Sequence, residues 1–85
     1  MPQQKKYNTM RPKLNEVKVR LEMNNIKVQE MPTYLITIEP VSVISFDKNK
    51  FTISYKNTYK LYSKISDVVG RIKWLKDFER KTFAG

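Results

Sequence analysis

The chain has 85 residues, room for one domain, and a net charge of +9. Neither cysteine nor histidine occurs, which excludes disulfides, thiolate metal sites and every histidine-based acid–base or triad mechanism. No apolar run approaches the roughly 20 residues that span a bilayer, no apolar stretch follows Met1–Lys6 as a secretory signal requires, and the eight acids are scattered among lysines, a poor field for a divalent cation. The expectation is a cytoplasmic protein without metal, cofactor or membrane attachment. A domain this small spends its residues on one modest core, so no deep cleft for a small-molecule substrate is expected either. Alanine occurs once while Lys, Asn, Ile and Tyr are frequent, a bias that matches AT-rich coding sequences such as those of low-GC bacteria, their phages and mobile elements.

Residues 1–13 are polar and basic, carry Pro2 and Pro12, and show no periodicity. They read as a flexible basic arm, with 14–85 as a single small α+β domain. Residues 14–24 fit two patterns. Leu14, Val17 and Leu21 recur at helical spacing, with Pro12 just ahead and Asn25 placed to end the helix in the left-handed conformation. Val17, Val19, Leu21 and Met23 also alternate with charged residues, as in a strand, which makes Asn24-Asn25 a hairpin turn. The helix is the preferred reading.

From Ile26 onward strand patterns dominate. Ile26 and Val28 alternate with Lys27 and Gln29 up to Pro32, and Tyr34, Ile36 and Ile38 alternate with Leu35, Thr37 and Glu39 up to Pro40. Val41–Phe46 is rich in β-branched residues, and 47–50 is a turn. Phe51, Ile53 and Tyr55 alternate with Thr52, Ser54 and Lys56; Asn57-Thr58 reads as a tight turn and 59–62 as the returning strand. Short strands joined by short turns pair as an antiparallel meander of three to five strands. Ser63 or Ser66 then caps a C-terminal helix with Asp67 in its first turn. Ile65, Val68, Val69, Ile72, Leu75 and Lys76 share one face of that helix, which runs to about Lys81 and covers the sheet.

Three groups of residues stand out. In the hairpin region, with Phe51, Ile53 and Tyr55 facing the core, Lys50, Thr52, Ser54 and Lys56 face solvent. Assigning Tyr59 and Leu61 to the core leaves Lys60 and Tyr62 outside. Together with Lys48 and Lys64, these side chains offer ammonium groups to phosphates and a tyrosine ring for stacking on an unpaired base; the alternative is an ordinary polar sheet face. The arm adds Lys5, Lys6, Arg11 and Lys13, which suit a phosphate backbone, unless it is simply a loose terminus. On the C-terminal helix Gly70, Trp74 and Phe78 form a second strip away from the sheet, with Arg71 beside it. That strip is covered by the first helix or by the tail around Phe83, or else it meets a second protein.

These features imply a small non-catalytic nucleic-acid-binding accessory protein, DNA or RNA undecided. It contacts phosphates with low sequence specificity and slightly prefers single strands, because its lysines lie among tyrosines on strands and not on a base-reading helix. The alternative is a protein-interaction subunit that docks through Trp74 and Phe78 onto a larger partner, such as a replication, primase or polymerase component or an inhibited host enzyme.

Overall fold

The computed structural model describes residues 11–84. Helix α1 (Arg11–Met23) is followed by strands β1 (Val28–Glu30), β2 (Tyr34–Ile38), β3 (Val41–Asp47), β4 (Lys50–Tyr55) and β5 (Thr58–Tyr62), and by helix α2 (Ile65–Ala84). The five strands form one antiparallel sheet in sequence order. The expected α+β arrangement of helix, meander and helix is what the chain adopts.

Burial settles the ambiguous segment. Leu14, Val17 and Leu21 are buried, while Val19 and Met23, which the strand pattern needs inside, are exposed. The polar positions between them pair along the helix, Arg20 with Glu16 at 2.8 Å and Lys18 with Glu22 at 3.6 Å. Asn25 has φ 63°. The Ile26 amide bonds the Leu21 carbonyl and the Asn25 amide bonds the Glu22 carbonyl, both at 3.0 Å. Those two bonds and the buried Leu21 and Ile26 side chains form a Schellman ending. Arg11–Lys13 open the helix rather than belonging to an arm; Pro12 is tolerated there because a first-turn amide has no helical acceptor.

Three connections of two residues each carry the chain from β2 to β5. Ile38 pairs with Val41 across Glu39-Pro40, whose peptide bond is cis. Asp47 pairs with Lys50 across Lys48-Asn49, and Tyr55 with Thr58 across Lys56-Asn57. Both central residues of the last two turns have positive φ, between 45° and 63°, the type I′ geometry that matches strand twist. The last turn is therefore Lys56-Asn57, one residue earlier than Asn57-Thr58.

One face of the sheet is covered by both helices. Helix α1 lies over β1–β3 and α2 over β4 and β5. Leu35, Ile44, Phe51 and Ile53 from the sheet meet Leu14, Val17 and Leu21 from α1 and Val68, Val69, Ile72 and Leu75 from α2. Lys76 runs its stem toward α1 and its ammonium donates to the Asn25 carbonyl at 2.7 Å, a cation placed at a helix C-terminus. The α2 cap is neither Ser63 nor Ser66. The Val68 amide bonds the Lys64 carbonyl, which makes Lys64 the cap residue.

Among the described residues, Thr37 and Ser42 are the buried polar side chains of the core. The Thr37 hydroxyl donates to the Pro40 carbonyl, and Ser42 Oγ lies 2.5 Å from Thr37 Oγ1, so Ser42 is the donor of the second bond. Thr37→Val strands the Pro40 carbonyl and the Ser42 hydroxyl together and is expected to cost about 1–3 kcal/mol. Ser42→Ala leaves the bond to Pro40 intact and should cost less. Urea denaturation of the two variants checks that order.

Candidate nucleic-acid interface

A two-residue hairpin pairs odd-numbered with even-numbered positions here, so the inward residues Phe51 and Ile53 lie opposite Tyr62 and Lys60. Tyr62 packs against the core and is half-buried. Lys60 points to the helix side, where it lines a small depression at the β5–α2 seam with Arg71 and Leu75. Tyr59 and Leu61 emerge on the opposite face at 71% and 61% exposure. The expectation that Tyr59 and Leu61 face inward and Lys60 and Tyr62 outward is thus reversed. Any two-residue turn imposes this parity, and hydrophobicity alone assigned the strand to the wrong face.

The lysines expected on one sheet face divide into two groups. Lys50 begins β4 and Lys56 follows its end, about 20 Å apart at ~3.4 Å per residue. At the far end Lys56 Nζ stands 5.4 Å from the Tyr55 ring centroid. The Tyr55 hydroxyl donates to Glu79 on α2. That hydrogen bond, partial burial and the carboxylate's charge push the phenol up to about 12 against the opposing pull of Arg71. The cluster joins hairpin to helix, and its role there is structural.

The near end is different. Lys50 Nζ donates to Ser63 Oγ at 2.7 Å, next to Lys64 at the start of α2. Lys48 sits in the adjoining turn. Lys13, from the first turn of α1, holds its ammonium 5.9 Å from the Phe46 ring, and Phe46 in turn touches Phe51 with centroids 4.5 Å apart. Residues from α1, the β3–β4 turn and the β5–α2 connection, distant in sequence, therefore supply Lys13, Lys48, Lys50 and Lys64 to one end of the molecule. Lys48, Lys50 and Lys64 are exposed, as is Lys13, and Asp47 is the acid on the same turn. Arg11 opens α1 at this end, whereas Lys5 and Lys6 lie outside the described residues.

On α2, Trp74 and Phe78 are 53% and 48% exposed. Their rings stack at 5.3 Å with 7° between planes, and the Arg71 guanidinium lies 4.7 Å over Trp74. Helix α1 does not cover them. Gly70 is also exposed, and a Cβ there would meet nothing within 4 Å.

The outward face of the sheet is the feature that sequence reasoning missed. Ile38, Val41, Val43, Tyr59 and Leu61 are all exposed on it. Antiparallel sheets with a solvated face ordinarily turn polar residues outward. The two-residue spacing of the turns was the available signal, because it determines which residues point out.

No helix of the described residues is long and apolar enough to cross a membrane. Comparison with known proteins returns nothing: no family model matches the chain, and no curated protein or solved structure shows significant similarity to it.

The Tyr55–Glu79 bond has a pH signature. The folded-state pKa lies above the unfolded value of 10.0, so its stabilisation is complete below pH 10 and is lost as pH rises toward 12. Ultraviolet absorbance titration should show one tyrosine ionising last, near 12. Glu79→Gln should return it toward the ordinary range and remove the alkaline loss of stability.

Proposed function

We propose that the protein is a non-catalytic nucleic-acid-binding accessory protein that neutralises phosphates through the basic end formed by Lys13, Lys48, Lys50 and Lys64. The observation that carries this reading is the convergence of lysines from three separate segments around Phe46, Lys50 and Ser63. A field of this kind repels itself in the free protein, and an anionic polymer relieves that repulsion. Ammonium groups on flexible stems give phosphate contacts with little base discrimination. They project from a hairpin end and a helix start, which suits a single strand that adjusts to them better than the fixed phosphate spacing of a duplex. With Tyr62 packed inward, stacking contributes less than its place among the lysines promised.

Four contacts to single strands predict a slope of about −3 in log K against log salt, at ~0.7 per contact. Lys50→Ala and Lys64→Ala should each flatten that slope by about 0.7, while Lys60→Ala, on the β5–α2 seam, leaves it unchanged. Fluorescence anisotropy with a labelled oligonucleotide reads all three. Absence of binding in dilute buffer, or an equal effect from Lys60→Ala, contradicts the assignment.

A second reading has its own observation. Trp74 and Phe78 stacked in solvent beneath Arg71 have the composition of a binding hot spot and support docking onto a larger protein. Trp74→Ala should abolish capture of that partner and leave oligonucleotide affinity within about twofold, as expected for sites that share no contacts.

A further inference from the structure

We propose that the open face of the sheet is the interface of a symmetric homodimer, two copies packing sheet on sheet about a two-fold axis that runs parallel to the strands between β3 and β4.

The face is mapped by register. One outward row reads Tyr34, Ser45, Thr52, Leu61 from β2 to β5, and the next reads Ile36, Val43, Ser54, Tyr59. Ile38 and Val41 pair at one margin, and Asp47 and Lys50 at the other. Within the chain's +9 total, those two rows hold no charged side chain. Exposed apolar faces of this extent on a small monomer mark association sites.

The occupant is argued from the face's own symmetry. Sheets in sandwiches align their strands within about 30°, and a two-fold interface sets each residue against its mate across the axis. An axis midway between β3 and β4 folds each row onto itself. Tyr34 of one copy then lies over Leu61 of the other, Ile36 over Tyr59, and Val43 and Ser45 over Ser54 and Thr52. At the charged margin Asp47 of each copy meets Lys50 of its mate. Large residues thus oppose large ones at the flanks, small ones oppose small ones at the axis, and opposite charges meet at the end. An unrelated partner has no reason to share this arrangement, whereas a second copy shares it by construction.

The size is that of a weak interface. The four strands that overlap, at about 4.8 Å, and five residues at about 3.4 Å give a face of roughly 330 Å² in projection. Accessible area exceeds projected area, so two opposed faces bury on the order of 1,000 Å² in total, the low end for specific association, and the affinity should be modest. The axis direction also places the two basic ends side by side. Their repulsion opposes dimerisation in dilute salt, so salt or a bound polyanion strengthens the dimer while salt weakens oligonucleotide binding.

Sedimentation equilibrium from micromolar to millimolar protein, in low and high salt, tests this. The expected result is a monomer–dimer equilibrium that tightens at least several-fold with salt. Ser54→Lys, a change at an exposed polar site that leaves the core intact, should hold the chain monomeric at every concentration, and so should Val43→Asp. Circular dichroism confirms that each variant is folded; if Val43→Asp unfolds, Ser54→Lys decides alone. A wild-type chain that stays monomeric throughout, or a Ser54→Lys variant that still dimerises, overturns the proposal. Because Ser54→Lys lies away from the basic end, intact oligonucleotide binding in a monomeric wild type would sink the dimer alone. A salt-promoted dimer that binds no oligonucleotide would sink only the nucleic-acid reading.

Discussion

Three two-residue turns in succession govern this molecule. Each forces the residues it joins into odd–even pairs, and each therefore transmits a choice of face from one strand to the next. Once Leu35 is buried, Ile44, Ile53 and the position of Lys60 follow without further freedom. A connection one residue longer at 56–58 would have turned Tyr59 and Leu61 onto the helices and Lys60 into the open. The chain instead accepts positive φ at both Lys56 and Asn57. That local cost is modest for Asn, which tolerates the left-handed region, and larger for Lys. The reward is a turn whose twist suits the strands.

Charge is partitioned along similar lines. Helix α1 neutralises much of itself through the Glu16–Arg20 and Lys18–Glu22 pairs, and on α2 Glu79 is engaged by Tyr55. Residues 40–66 have five lysines and one acid, so the hairpins carry the unbalanced part of the field. The fold then divides those lysines. Lys48, Lys50 and Lys64 join Lys13 at one end, Lys56 stays at the other, and Lys60 goes to the helix side. Among the described residues the hairpin lysines gather at the β3–β4 end, where the topology brings α1 and the β5–α2 connection to the same place.

Much of the fold was legible because its signals were local. The spacing of Val68, Ile72 and Leu75, the Asn24-Asn25 ending and the Asp47–Lys50 turn each rest on a few neighbouring residues, and each is found as expected. The candidate site was less legible because it depends on parity across a turn and on proximity between distant segments. Tyr62 looks accessible when β5 is read by itself, since a tyrosine and a lysine on one alternation resemble a polar face. Only pairing with Phe51 shows it turned to the core. Nothing in the spacing of Lys13 and Lys50 announces that they share an end. Nor does the pattern of Val41 and Val43 reveal that these valines lie on the uncovered side, because β-branched residues read alike on either face.

The two ways in which such a sheet can associate are not equally open. Edge pairing along β5 by a second copy would set Lys60 beside Lys60, and lysine on an edge strand is a common device against such pairing. At the other edge β1 is only three residues long and offers little to extend. The broad face between these edges has the opposite character, with its two central rows free of charge and Asp47 and Lys50 paired in register at its margin. Discouraged edges beside an apolar face favour the proposed closed pair of sheets over an open ribbon. In the proposed closed pair the basic ends lie together, so each chain's unbalanced charge adds to that of its mate. The proposed pairing and the proposed phosphate contacts share Lys50 at the margin of the face, while Lys13 and Lys64 lie off that face and its two uncharged rows lie away from the basic end.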